Sequence, residues 1–528
     1  MTSHADAQAT SGKDAVSSND WSLFIASFMA LIAAGIGFSV RGAILGNWAQ
    51  QYGFTQSELG TITGGGLAGF GVTIIVLSFV ADKIGYGPLM VLGFLFHLSS
   101  ALVTFLATPI FDQYGKDGTY WCLNISTWLF ALGNGTCEAV INPLTATLFP
   151  KNKTHWLNIL HAGWPGGLIL GALLGLVFEG IGGVRWEIQL ATFLVPTIIY
   201  GALMLGKKFP KSEASVSGVE IGTMLAQFAA PVLLFLVFLH ALVGYVELGT
   251  DSWITNITGR ILESKSAGLW LFIWTSGLMF VLRFFAGPIV HRINPLGLLF
   301  ISAICGTMGL YLLGTTTSLA MCVIAATIYG LGKTFYWPTM LGVASERFPK
   351  GGALVLGIMG GVGMLSAGLL GGPIIGYNQD YYASQNLEKS NQEAYGRFKA
   401  AKPGAPYSFL PAIAGLDGSK VAVLEDFEKK PDAKLGIEAD LELAKSQKDQ
   451  EKNKGLVDEL TKLNDWWNKE EKPHAATDLK DVVKARMAGG QNALLVTALV
   501  PATMAIGYLL LLLYFRATGG YKQEHIGH

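Results

Sequence analysis

Apolar residues gather along most of the chain in runs of roughly 20, the length a helix needs to cross a hydrocarbon core about 30 Å thick. Such runs lie near 22–45, 60–81, 88–108, 120–148, 156–180 and 186–206, then near 223–247, 267–290, 295–315, 318–344, 353–376 and 491–515. They predict an all-α polytopic membrane protein of twelve transmembrane helices in two six-helix repeats. A helical, polar extramembrane insertion precedes the last helix. An even number of spans puts both termini on one side. The first run follows a polar leader, is long, and has no small-residue cleavage site after it, so it reads as a helix and not a signal peptide. The predicted divisions are a leader over 1–20, a six-helix bundle over 21–206, a linker over 207–222, helices 7–11 over 223–376, an insertion over 377–490, helix 12 over 491–515 and a tail over 516–528.

Composition agrees with the pattern. The chain is 51% hydrophobic and 14% charged, whereas soluble domains approach a quarter charged. The segment 377–490 alone holds 20 of the 37 acidic and 18 of the 37 basic residues. Most of the remainder is therefore lipid-solvated, and a soluble enzyme is excluded. A net charge of zero gives no sign of a nucleic-acid partner. Cys122, Cys137, Cys305 and Cys322 sit in apolar runs without metal-ligand spacing and read as small hydrophobes. There is no P-loop, phosphate cradle or paired metal motif, so no cofactor is expected. ATP-driven pumping is unsupported, and gradient-driven or passive transport remains.

Lys and Arg in short loops set orientation. Lys13, Lys83, Lys151, Lys153, Lys207, Lys208, Lys211, Arg292, Arg347, Lys350, Arg516 and Lys522 fall on the side of the termini, against Lys116, Arg185, Arg260 and Lys265 opposite. Cytoplasmic termini in a multi-pass protein of the plasma (inner) membrane follow, with 377–490 on the non-cytoplasmic side. Glycines cluster in the spans, as at Gly64–Gly66, Gly166-Gly167, Gly360-Gly361 and Gly371-Gly372. Such clusters suit close packing and helices that rock against each other.

The chain also matches itself. At an offset of 209, Asp82-Lys83 falls on His291-Arg292 and Gly42 on Asp251; at 195, Gly135 falls on Gly330, Glu138 on Lys333 and Pro143 on Pro338. A parallel repeat places a solute site between the halves near the midplane. Asp82-Lys83-Ile84-Gly85-Tyr86, between spans 2 and 3, resembles the loop signature of the major facilitator superfamily, with Ser78 where that signature has Gly. The second copy, Gly287 to Arg292, keeps the Gly and replaces the acid with His291. Residues 135–143 with Leu157-Asn158, and Arg283-Phe284 with Gly287, resemble the fucose-permease branch of sugar–proton symporters. That branch carries an Asp late in span 1, where Gly42 stands here beside Arg41. The resemblance implies sugar–proton symport, and this departure puts the coupling in doubt.

An ionisable group inside a span is expensive and is usually functional or paired. Glu138 sits mid-span, able to carry a proton, to accept substrate hydroxyls, or to pair permanently with Lys333 across the repeat axis. Arg41 offers a fork for a carboxylate, which keeps an organic acid open as substrate. Glu247 and Asp251, four apart, either replace the missing span-1 acid or lie in water at the outer helix end. Arg283 reads equally as a site residue and as a side chain snorkelling to the cytoplasmic end. Asp82, Lys83, Gly85, Arg283, Gly287 and Arg292 form the conformational loop motif, whose acids and cations pair or cap neighbouring helices. For a sugar, amides and rings fit a preformed pocket: Asn142, Asn158, His161, Trp164, Asn256, Trp253, Tyr336 and Trp337, with Trp48 a further candidate.

The segment 377–490 contains a Pro/Gly stretch at Lys402–Pro406, Trp466-Trp467, and an amphipathic region over 439–469 with Leu441, Leu443, Leu456, Leu460 and Leu463 as its stripe. It reads as too polar for a large core. A cap over the outer mouth is preferred; docking of an unidentified partner and a solvated spacer remain. The function expected is secondary transport of a small polar solute, a sugar, proton-coupled through Glu138. Uniport, organic-acid transport and a non-transporting sensor or scaffold are the alternatives.

Overall fold

The computed structural model describes residues 17–52, 54, 56–401, 410–429, 435–446 and 450–526. Most of the leader and the Lys402–Pro406 stretch lie outside this set. The spans run, in order, over Ser18–Ala43, Gln56–Ser78, Tyr86–Phe105, Ala107–Leu148, Lys153–Ile181, Trp186–Met204, Pro231–Ile261, Lys265–Arg283, Ala286–Thr315, Leu319–Arg347, Pro349–Ser390 and Ala475–Ala517. Among the described residues, eleven stretches are long and apolar enough to cross a bilayer by composition alone. Span 4 falls short because Asn124, Asn134, Glu138 and Asn142 interrupt its buried length. It crosses within the twelve-helix, two-repeat architecture, because its polar groups face other helices and not lipid.

Two helices are compound. Ala107–Leu148 bends at Gly115, where φ is +68°, a conformation costly for any residue with a Cβ. Ala286–Thr315 is two helices joined across Asn294, at φ +55°. The first piece, 286–293, prolongs span 8, which places Arg283 well inside the bundle; the second is span 9. Asn294 Oδ1 accepts from Gly297 N at 2.9 Å and so caps span 9.

Spans 1–6 pack together and spans 7–12 pack together. The halves meet through span 2 on span 11 and through span 5 on spans 8 and 10. Glycine sets the closeness of these seams: a Cβ at Gly71 would lie 2.8 Å from the Gly361 carbonyl oxygen. Within the second half, spans 7 and 11 each carry a π-helical turn, Tyr245–Gly249 and Ala367–Gly371, and the two turns face each other. Such turns loosen the regular backbone ladder and recur at functional positions.

The side of the termini is sealed by reciprocal caps. Asp82 Oδ2 accepts from Ala353 N (3.3 Å) at the start of span 11. Glu346 Oε1 accepts from Thr154 Oγ1 (2.6 Å) and Thr154 N (3.3 Å) at the start of span 5. Each half thus satisfies free N–H groups, with favourable helix dipole, in the other. The tail adds Tyr521 Oη donating to Glu346 Oε2 (2.6 Å) and the Arg347–Glu524 pair (2.6 Å).

On the opposite side, spans 11 and 12 run on past the bundle as an antiparallel pair, to Ser390 and from Ala475. The intervening chain forms helices Gln392–Phe398, Gly418–Lys429, Gly436–Ser446 and Gln450–Trp466 and a π turn Trp467–Glu471. The expected amphipathic helix is thus two helices. Leu441 is buried and Leu460 and Leu463 half-buried; the side chains of Leu443 and Leu456 lie outside the described set. The segment has more core than its polarity suggested. Phe398, Leu424, Trp466 and Trp467 bury together with Leu387 and Val482 of the two stalks, because a few large rings supply area that the sparse leucines do not.

Candidate functional site

Span 4 presents Glu138 and, one turn on, Asn142 to span 5. Asn142 Nδ2 donates to Glu138 Oε2 at 2.6 Å, and Asn142 Oδ1 meets His161 Nε2 at 2.8 Å. With its N–H₂ committed to the carboxylate, the amide oxygen accepts, so His161 carries its proton on Nε2. All three are buried. No cation lies within ion-pair distance of Glu138 among the described residues; its expected pairing with Lys333 does not form. Lys333 instead reaches Asp251 at 2.6 Å, inside its own half. Span 10 turns this side chain toward span 7.

Arg283 is buried, and the snorkelling reading fails. Its Nη2 pairs with Glu247 Oε1 at 3.0 Å. Its Nη1 donates to the His161 carbonyl at 2.6 Å and its Nε to the Thr334 carbonyl at 2.8 Å. These two carbonyls share a cause. In a helix each accepts from the residue four positions on, which here is Pro165 and Pro338, and proline has no N–H to give. The two prolines free the acceptors that one guanidinium collects. Arg283 thereby ties span 5 of the first half to spans 7 and 10 of the second. Glu247 and Asp251 do not lie in water: Glu247 also accepts from Trp337 N at 3.3 Å, and both acids face cations. Asn158 donates to Thr339 Oγ1 across the halves at 3.1 Å.

Other expected residues fall elsewhere. Arg41 is buried inside the first half, its Nη2 on Ser100 Oγ at 2.7 Å and its guanidinium 3.9 Å above the Phe130 ring. It does not reach the Glu138 cluster, since span 1 turns it toward spans 3 and 4. Trp48 packs edge-on to Trp186 in the same half. Asn256 is exposed, on the outer turns of span 7. Tyr336 donates to the Ser302 carbonyl at 2.9 Å, facing span 9. Trp253 donates to the Gly372 carbonyl at 2.8 Å and braces spans 7 and 11. Trp164 lies one turn beyond His161, its ring 5.7 Å from Phe38. In the loop motif, Gly85 takes φ +92°, Gly287 N donates to His155 Nδ1 at 3.0 Å, and Lys83 and Arg292 are exposed. Sequence reasoning missed His240, Thr339 and the two proline-freed carbonyls; Pro165 and Pro338 were the available signal for the last.

The arrangement sets a buried carboxylate, held by an amide and without a cation among the described residues, beside imidazole and indole groups, a set whose chemistry suits proton uptake and hydrogen bonding to a polar solute. A profile described as Major Facilitator Superfamily matches residues 23–372. No curated protein sequence matches the chain. Among solved structures it is similar to a major facilitator transporter, FucP, in its outward conformation (15% identity, 68% of this chain and 91% of that one, TM-score 0.55). It is also similar to a bacterial homologue of the human lysosomal transporter Spinster, inward-facing and unoccupied (15%, 94% and 97%, TM-score 0.59). A third similar structure is the human organic anion transporter MFSD10 (14%, 67% and 92%, TM-score 0.54). At such identities the likeness speaks for the fold.

Proposed function

Because the chain belongs to the Major Facilitator Superfamily, we propose that this transporter carries a small neutral polar solute, a sugar, in symport with a proton held on Glu138. The observation that carries the reading is the charge balance of the site. Arg283 is matched by Glu247 and Lys333 by Asp251, which leaves Glu138 as the one acid of this cluster without a cation. A neutral solute plus one proton makes the loaded cluster electroneutral, the cheapest state in a low-dielectric interior. An anionic solute would need a spare cation there. Arg41, the residue on which an organic-acid reading rests, is held in the first half. Asn142, Asn158, His161, Trp164 and Trp337 are the solute contacts on this reading. Basic-loop asymmetry supports cytoplasmic termini, and we take the plasma membrane as the site of this transport.

The test is uptake by proteoliposomes of labelled hexoses, amino sugars and small organic acids, with and without an inward proton gradient. A sugar accumulated only with the gradient supports the proposal, and Glu138→Gln then abolishes accumulation while keeping counterflow exchange. Each pH unit of gradient sustains up to about tenfold accumulation for one proton. Equilibration indifferent to the gradient makes it a uniporter; uptake of an acid alone discards the sugar.

A further inference from the structure

His240 lies on span 7, fully buried, and neither ring nitrogen hydrogen-bonds a described group. Its ring centre is 4.6 Å from that of Trp337 on span 10, whose indole Nε1 is also buried without a partner. Three polar atoms left unpaired at one place are costly, and such a cost persists where a ligand repays it. The third wall is Gly363 of span 11: a Cβ there would lie 2.7 Å from Trp337 Cζ3 and 3.0 Å from His240 Cδ2. The backbone of Trp337 bonds Glu247, so the pair of rings adjoins the charge cluster without belonging to it.

The atoms define what fits. A neutral imidazole gives one donor and one acceptor, and indole gives one donor. Two donors and one acceptor match a hydroxyl beside a second oxygen, and the ring faces suit the C–H surface behind them. Both nearby cations already hold carboxylates, so the place favours a neutral diol over an anion. We propose that His240 and Trp337 form a subsite in the second half that takes a vicinal diol of the solute, with His240 as its specificity-determining residue. The subsite is packed shut in this conformation, and opening requires spans 7 and 11 to part. The facing π turns at Tyr245–Gly249 and Ala367–Gly371 lie within a few residues of His240 and Gly363 and supply backbone able to bend.

The proposal rests on the transport reading, and the experiment separates them. Equilibrium binding and gradient-driven uptake are measured for the labelled hexose panel and its monodeoxy analogues, with wild type, His240→Phe, His240→Asn and Gly363→Ala. Wild type should bind one monodeoxy analogue more weakly than its parent by roughly 3- to 10-fold, the worth of one neutral hydrogen bond. His240→Phe should weaken the parent by a similar factor and leave that analogue unchanged. His240→Asn should retain most of the affinity, and Gly363→Ala, by crowding the rings, should lose it. Gradient dependence should survive in His240→Phe. If His240→Phe weakens parent and every analogue equally, or weakens none while uptake stays proton-driven, the subsite is wrong and the transport reading stands. If wild type takes up no member of the panel, both fall.

Discussion

Replacing Pro165 by alanine should loosen the two halves from each other, although the site gains a hydrogen-bond donor and loses no charge. The new alanine would supply the N–H that the His161 carbonyl lacks and straighten span 5, drawing that carbonyl away from Arg283 Nη1, now 2.6 Å distant. A hydrogen bond to a charged donor contributes about 1.5–3 kcal/mol. Losing it from the conformation closed on the side of the termini shifts the ratio of closed to open by on the order of 10- to 100-fold. Spin labels at the exposed positions Lys83 and Lys350, on that side of opposite halves, would report the shift as a longer distance population. Pro338→Ala is the internal control. It offers the same new donor to the Thr334 carbonyl, but Arg283 and Thr334 both belong to the second half, so the inter-half distance should not change. If Pro338→Ala opens the protein as far as Pro165→Ala does, helix straightening is the cause and the bridging role of Arg283 is refuted.

Arg283→Met alone should lower thermal stability by about 3–5 kcal/mol, since it strands the buried Glu247 charge, and adding Glu247→Gln should recover most of it; equal loss in the double variant would count against a buried ion pair. Asp82→Ala should cost about 1 kcal/mol of the closed conformation by uncapping span 11, seen as roughly fivefold more modification of cysteines introduced on the side of the termini; Glu346→Ala should act alike at span 5, and indifference in both would remove the cap argument. In the insertion, Arg397 serves two buried acids, Glu471 (3.3 Å) and Asp478 (2.5 Å). Burial, with Asp478 beside it, pushes Glu471 from 4.5 up to about 8. The folded segment therefore holds a proton that the unfolded one releases, and its stability falls as pH rises from about 4.5 to about 8, by roughly 2–4 kcal/mol. Protection against hydrogen exchange over 450–475, taken relative to the intrinsic rate at each pH, should fall across that window, and an unchanged trend in Glu471→Gln would exclude this carboxyl. Replacing 392–474 by a short Gly/Ser linker should leave the spans folded, because the retained Asn391 and Asp481 already bring the stalks within 2.8 Å; collapse of the bundle would show that the insertion stabilises it.

Span number, the repeat and the place of the insertion were legible because lipid imposes one rule on every helix, and the rule writes itself as apolar length. Glu138 was legible for the same reason, as an exception to it. Partner choice was not. Lys333 and Glu138 match in the repeat, yet pairing depends on the rotation of spans 7 and 10 about their axes, which spacing along one helix does not encode. Arg283 was misplaced because the chain shows no interruption between spans 8 and 9 until Asn294, so its depth was underestimated. His240 stands alone in the apolar stretch Pro231–Gly244, where one histidine reads as core. The prolines were in plain view, but a freed carbonyl acquires meaning only when a donor from another helix arrives.

The two halves are built alike and charged differently. The second closes its acids and cations on each other, so no step of a rocking cycle has to separate them. At the site, the first contributes one acid with an amide for company. Where the halves meet, the guanidinium grips a backbone carbonyl and not a carboxylate, so parting them breaks a hydrogen bond without stranding a charge. That carbonyl belongs to His161, whose ring bonds Asn142, whose amide bonds Glu138. If the proposed symport holds, a proton on Glu138 would weaken the acceptor on which Asn142 is oriented, and so loosen the ring and backbone that Arg283 holds. On the symport reading, coupling needs no ion pair to break: one proton acts through two side chains on the bond that joins the halves.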